Sequence, residues 1–248
     1  MKISIITAVF NNRDTLAEAL DSALSQTHAE LELIVIDGGS TDGTLDVLRS
    51  YENRLAVLLS EPDQGIYDAL NKGIKRASGE VVGFLHSDDL FADVIVLQRV
   101  VAAFSDLQVD AVYGDLQYVR KDNRDEVVRH WQAGVFSRIR LGWGWMPPHP
   151  TFYVRRSVYE RLGMFDTSYR IAADYDCMLR FLGTGGVRVT YIPHVLVKMR
   201  LGGASNRSLK NILQKSMEDY RALNGNNVGG LGALVWKNFS KLGQFWGH

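Results

Sequence analysis

The sequence predicts an α/β protein built on a mostly parallel sheet, and three observations carry that expectation. Short β-branched, apolar runs alternate with segments whose apolar residues recur at helical spacing, the pattern of strands lying side by side under helices on both faces. Each early strand ends in a polar cluster, and in open sheets of this kind ligands sit beyond the carboxyl ends of the strands. The chain has 248 residues, 46% of them hydrophobic, enough to bury a full core in one large domain or one domain with an appendage.

Taken in order, Lys2 to Val9 is apolar and β-branched and reads as a strand. Arg13 to Gln26 follows as a helix, with Leu16, Ala19, Leu20, Ala23 and Leu24 on one face after a polar Asn11-Asn12 start. The alternation continues with a strand over Leu31 to Ile36, a helix over Thr41 to Ser50, a strand over Arg54 to Leu59, a helix over Ile66 to Ala77 and a strand over Val81 to Leu85. The strand ends Thr7-Ala8-Val9-Phe10-Asn11-Asn12, Asp37-Gly38-Gly39-Ser40, Ser60-Glu61-Pro62-Asp63 and His86-Ser87-Asp88-Asp89 are then expected to converge on one rim. Further on, a helix is expected over Val94 to Phe104 and a strand over Ala111 to Val119, after which periodicity fades from Lys121 to Pro150. Gly142 to Pro150 is too rich in glycine and proline for an element interior and reads as a loop whose aromatics can cover a substrate. Helices over Val158 to Leu162, Asp174 to Leu182 and Leu209 to Leu223, with a strand over Val187 to Ile192, complete the prediction.

Composition excludes several classes. Basic and acidic residues balance at 28 each, against bulk nucleic-acid binding. From Lys198 onward, however, eight basic residues face only Glu218 and Asp219, so the tail is basic. A lone cysteine, Cys177, rules out an internal disulfide or a thiolate zinc cluster. Met1-Lys2-Ile3 runs straight into a strand without the features of a signal peptide, and no stretch reaches the roughly 18 apolar residues of a membrane span. The expectation is a cytoplasmic protein.

The chemistry starts at Asp88-Asp89. Two adjacent carboxylates at a strand end repel each other, which points to a cation between them and a substrate; the alternative is a cap for the helix starting near Val94. Asp37 to Thr44 leaves a strand and enters a helix, so its small residues and free N–H groups suit a phosphate, although Ser, Thr and Asp also make ordinary caps. Neither Gly-x-Gly-x-x-Gly after the first strand nor Gly-x-x-x-x-Gly-Lys-Ser/Thr occurs, which argues against dehydrogenases and P-loop enzymes.

Over roughly residues 1 to 205 the order of motifs resembles the family 2 glycosyltransferases. Ser4 to Asn11 resembles the family's opening strand, Ile36-Asp37-Gly38-Gly39-Ser40-Thr41-Asp42 its Asp-Asp-Gly-Ser-x-Asp turn, and Gly65 to Gly73 its Gly-x-x-x-Ala-Arg-Asn-x-Gly helix. His86-Ser87-Asp88 takes the place of the Asp-x-Asp metal motif, and Ala173-Asp174 that of the Glu-Asp pair holding the catalytic base. The resemblance implies the GT-A fold, with a nucleotide-sugar-binding half over 1–119, an acceptor half over 120–205 and a C-terminal helical tail over 206–248. It implies donor contacts from Thr7, Ala8, Val9, Asn11, Asp37, Gly39, Asp63, Gly65, Asn71, His86 and Ser87, a divalent metal (Mn2+ or Mg2+) on Asp88, and a base at Asp174. It also implies a non-processive enzyme, since the Gln-x-x-Arg-Trp signature is missing. Three positions depart: Gly38 for a carboxylate that often reads the nucleobase, Leu70 for an arginine, and His86 for the first metal-motif aspartate, which leaves Asp89 or a more distant His to complete the ion's shell.

A departing diphosphate needs its charge neutralised, which a hard cation on one or two carboxylates does, and the attacking hydroxyl needs a base within hydrogen-bond reach. Asp174 suits that role; Asp176 is its rival, two positions on and facing elsewhere on a helix, and Asp174 as a plain N-cap is the alternative. His149, between prolines, either lines the acceptor site or is structural; His194, followed by Lys198 and Arg200, either joins the metal and diphosphate site or lies on a solvated strand edge. From Leu231 to Trp246 apolar residues fall at helical spacing between lysines, as in a segment lying on an anionic membrane surface or one docked on the core. The resulting expectation is an inverting, metal-dependent glycosyltransferase moving one sugar from a nucleotide-sugar donor, a UDP-sugar, to a saccharide or lipid-linked acceptor in cell-surface polysaccharide synthesis, at the inner face of the membrane. The alternatives are a sugar nucleotidyltransferase and an inactive nucleotide-sugar or glycan-binding module.

Overall fold

The computed structural model describes residues 1–202, 209–230 and 232. Its elements are β1 (Ile3–Val9), α1 (Arg13–Leu24), β2 (Leu31–Asp37), α2 (Thr44–Tyr51), β3 (Val57–Ser60), α3 (Ile66–Arg76), β4 (Val81–Phe84), β5 (Leu90–Phe91), α4 (Val96–Ala103), β6 (Ala111–Val119), β7 (Val127–Trp131), α5 (Arg138–Leu141), β8 (Tyr153–Arg155), α6 (Arg156–Leu162), α7 (Ala173–Leu179), β9 (Val189–Arg200) and α8 (Leu209–Gly225). The strands form one curled sheet in the order β3-β2-β1-β4-β8-β6-β9-β5, with β7 paired to β6. Only β5, β7 and β8 run against the others.

Alternation along the central strands sends neighbours to opposite faces. Ile34 and Ile36 join a core with Ala69, Leu70 and Ile74 of α3, whereas Leu33 and Val35 join a second core with Leu16 and Leu20 of α1. Burial on both faces explains why these strands are apolar throughout. At Gly83 a Cβ would stand 2.4 Å from the Tyr153 ring, so the close approach of β4 and β8 there requires a position without a side chain.

The differences from expectation have local causes. The helix expected from Thr41 starts at Thr44, because Asp42 accepts the Thr44 N–H (2.9 Å) and Gly43 has φ 97°. The helix expected from Val94 starts at Val96, and Asp93 takes the Ile95 N–H (2.9 Å), so the caps near this helix are not Asp88 or Asp89. Strands β7 and β8 fall in the half whose periodicity fades; β7 is largely exposed as the outer arm of a hairpin, and β8 has three residues. β9 continues to Arg200 because its register against β6 shifts beside Gly114 and Asp115, and Pro193 is tolerated at that irregularity.

The described part of the expected tail is not separate from the body. Ala222 and Leu223 of α8 lie in the same core as α7, and Asn226 donates to Asp176 (2.9 Å). The segment from Leu231 to Trp246, and Gly203-Ala204-Ser205, lie outside the described residues, apart from position 232. Among the described residues no helix is long and apolar enough to cross a membrane.

Candidate active site

The loops after β1, β2 and β4 are stitched together at the strand carboxyl ends. Asn11, at φ 47°, donates its N–H to the Ser40 hydroxyl and accepts the Thr41 N–H, both at 2.8 Å. Asn12 donates to the Ser87 hydroxyl (2.9 Å), and Thr15 donates to the Ser87 carbonyl (3.1 Å). The polar clusters read from the sequence therefore do meet on one rim. Asp37 is fully buried and accepts the Gly39 and Ser40 N–H groups of its own turn and the Ser60 hydroxyl at the end of β3 (2.7 Å); it shapes the rim. Thr7, Ala8 and Val9 are buried within β1, so the exposed groups there are Asn11 and the Phe10 ring, which is 62% exposed. Phe10 was not singled out from the sequence, though an aromatic directly after an apolar strand was its signal.

Asn71 requires a correction. Its amide donates one N–H to the Phe165 carbonyl (2.9 Å) and accepts the Phe165 N–H (3.0 Å), and the residue is buried, so it clamps the chain ahead of α7 from the interior. Gly65 does open the exposed N-terminus of α3 at φ 116°, with Asp63 accepting its N–H (2.8 Å).

Asp174 sits in the first turn of α7, its side chain 20% exposed. Its carboxylate goes to no backbone N–H of that helix, which removes the N-cap reading. Instead Oδ1 meets the Tyr67 hydroxyl (3.0 Å) and Oδ2 meets His149 Nδ1 (3.3 Å). His149 Nε2 in turn meets His86 Nε2 at 3.1 Å. One unbroken chain thus runs from His86, in the turn that also bears Asp88, to the candidate base. Asp176 faces elsewhere, held by Asn226 and by Arg180 at 3.5 Å. The backbone just before α7 rests on α8: Glu218 accepts the N–H groups of Arg170, Ile171 and Ala172 at 3.1, 2.8 and 3.0 Å.

The two imidazoles are neutral near pH 7. Burial, with the His149 ring beside it, pushes His86 down to about 3, and burial also lowers His149. A neutral His149 facing a carboxylate carries its hydrogen on Nδ1, so its Nε2 accepts from His86 Nε2–H. The sign of the linkage follows. Below about 6.5 the unfolded imidazoles take up protons and the folded His86 does not, so stability present above that pH is lost as the pH falls toward 3. Denaturant unfolding between pH 7 and 4 should show wild-type stability falling by up to about 1.4 kcal/mol per pH unit more steeply than His86→Asn. Equal slopes would contradict a neutral buried His86.

At the other end of the chain, Asp88 is partly exposed, whereas Asp89 is 1% exposed. Asp89 is corrected as a metal ligand: its Oδ1 accepts the Arg200 N–H (3.3 Å), and burial, then the Asp88 charge, raise its pKa well above the usual carboxylate range. Arg200 is equally committed, donating to the Asp88 carbonyl (2.9 Å) and to Glu18 (2.6 Å), and so is no free cation for a diphosphate. His194 is exposed on β9, and among the described residues no three His, Cys, Asp or Glu side chains gather as a ligand set. Asp88 alone still fits magnesium or manganese, ions commonly held by one or two carboxylates together with substrate phosphates.

The model of the glycosyl transferase family 2 matches residues 4–172. The PGL/p-HBAD biosynthesis glycosyltransferase of Mycobacterium tuberculosis is 34% identical over 209 residues, covering 82% of this chain and 78% of that protein. This chain is a family 2 glycosyltransferase. An uncharacterized glycosyltransferase of Rickettsia typhi is 29% identical over 89% of this chain and 70% of its own length. Among solved structures, S. aureus TarS 1-349 in complex with UDP-GlcNAc superposes with a TM-score of 0.69 at 20% identity, covering 91% of this chain and 65% of that one. The mannosyltransferase PcManGT from Pyrobaculum calidifontis, in complex with GDP-Man and Mn2+, gives 0.68 at 20% identity, covering 99% and 71%. The chain spans 43% of a longer TarS chain. At these identities the solved structures speak for the GT-A-type fold, which the sheet shares.

Two of the departures from the family 2 glycosyltransferase pattern have structural reasons. A Cβ at Gly38 would stand 2.5 Å from Asp63 Oδ2 and 3.4 Å from Phe10, so a carboxylate from the loop after β3 already fills the space. Leu70 is 3% exposed and packs into the core on the α3 face of the sheet, where an arginine would be a buried charge.

Proposed function

We propose that this glycosyltransferase is an inverting, metal-dependent enzyme that moves one sugar from a nucleotide-sugar donor to a hydroxyl of a saccharide or lipid-linked acceptor. The observation that supports the reading is the hydrogen-bonded chain His86–His149–Asp174, which links a partly exposed carboxylate to the turn that bears Asp88. Asp174 takes the acceptor proton as the acceptor oxygen bonds to the anomeric carbon and the carbon–oxygen bond to the diphosphate breaks on the opposite face, inverting configuration. Tyr67 and His149 hold its two oxygens, fixing where the hydroxyl must approach. Asp88 would hold the divalent ion, which would supply charge neutralisation to the diphosphate when bound. His149 thereby serves the base, a role different from the acceptor contact expected of it.

For the donor, Phe10 offers its exposed ring to the nucleobase, and Asp63 supplies the carboxylate that Gly38 lacks. That arrangement keeps a uridine diphosphate sugar the favoured donor. A thermal-shift screen of UDP- and GDP-sugars with manganese tests the reading, since a ligand at 100 times its Kd stabilises the folded state by about 2.7 kcal/mol. One donor should raise the melting temperature and slowly release its nucleotide. Binding without release under any donor would favour the inactive module; no binding at all would end the proposal.

A further inference from the structure

The hydrogens around Asp174 do not add up with a single arrangement. The Tyr67 oxygen lies 2.6 Å from the Ile171 carbonyl and 3.0 Å from Asp174 Oδ1, yet a phenol has one hydrogen, a carbonyl none and a carboxylate none. Burial holds the Tyr67 phenol far above its usual range, so it keeps that hydrogen. Two of the three atoms must therefore compete for it while Asp174 is ionised. Once Asp174 carries a proton on Oδ1 the conflict disappears: the carboxylic acid donates to the Tyr67 oxygen, and Tyr67 donates to the Ile171 carbonyl.

We propose that Tyr67 is a positioning residue whose hydrogen changes partner as the base is protonated, giving Asp174 a hydrogen bond in both states. This rests on Asp174 being the base. In the ionised state the hydrogen serves Oδ1, where a charge-assisted bond is strongest. When the acceptor proton reaches Asp174, the hydroxyl rotates to Ile171 and its oxygen accepts the new O–H, so no heavy atom moves and no buried group is stranded. The Ile171 carbonyl is a fixed receiver because Glu218 holds the Ala172 N–H of the same peptide unit. Opposite it, His149 keeps its one N–H on Oδ2, so the change is confined to Oδ1.

Two measurements test it. In the first, Tyr67→Phe keeps the ring against Phe165, 5.5 Å away, and removes only the hydroxyl. Its kcat should fall about 10- to 100-fold while donor KM stays within about twofold and the melting temperature is kept, as for a group acting at the transition state. In the second, with isoleucine labelled at the carbonyl carbon, the Ile171 resonance should shift with the same midpoint as the Asp174 carboxyl in the wild-type protein and stay flat in Tyr67→Phe. The other titratable groups facing this site are His149, with His86 behind it, Cys177 of α7, and Lys215 and Glu218 of α8, all kept in the variant. An Ile171 signal indifferent to Asp174, or a Tyr67→Phe enzyme at wild-type kcat, overturns the proposal. The resonance experiment needs no donor, so its outcome is read separately from whether the protein transfers sugar.

Discussion

Asp174→Asn should lower kcat about 1,000-fold, within the 10²–10⁴ range of general-base catalysis, with donor binding unchanged. Asparagine matches the aspartate in size and still reaches Tyr67 and His149, but it cannot take up a proton at the acceptor hydroxyl. Unfolding should stay close to wild type, because the backbone beneath Asp174 is held by Glu218. Steady-state kinetics on the donor found by thermal shift, in the presence of an acceptor sugar, check this. A variant within tenfold of wild type would move the base elsewhere; Asp176, buried against Asn226 and Arg180, is poorly placed to replace it.

Asp88→Ala should be as severe through a different route. Several kcal/mol of charge stabilisation at the leaving diphosphate depend on the ion, which corresponds to at least about 10²-fold in rate. The variant should also lose the response of the melting temperature to manganese plus nucleotide, and its residual rate should be indifferent to a chelator. Asp88→Ala keeping both manganese response and rate would show that another group carries the ion. Asp89→Ala belongs to a different class, since Asp89 is sealed beneath the turn with Arg200 and its replacement acts on folding.

Much of the nucleotide half was legible because its strands are buried on both faces and its helices carry one apolar stripe, so periodicity tracks geometry. The convergence of Asn11, Asn12, Ser40 and Ser87 followed from topology alone. What the sequence concealed is the destination of polar side chains. Asn71, Asp89 and Arg200 stand in motifs that suggest ligands, and each is consumed by backbone or ionic partners far off in the chain. Asp63 taking the space beside Gly38 was equally hidden, because adjacency across loops leaves no spacing signal. Tyr67 and His149 meet Asp174 from separate segments for the same reason.

The family match ends at residue 172, yet the three amides seated on Glu218 span residues 170–172 and lead directly into the helix of Asp174. The proposed base is therefore braced by α8, a helix beyond the stretch that the family model matches. A protein ending before α8 should keep every donor-side loop and Asp174 itself and lose the brace beneath it, binding nucleotide while turning over poorly.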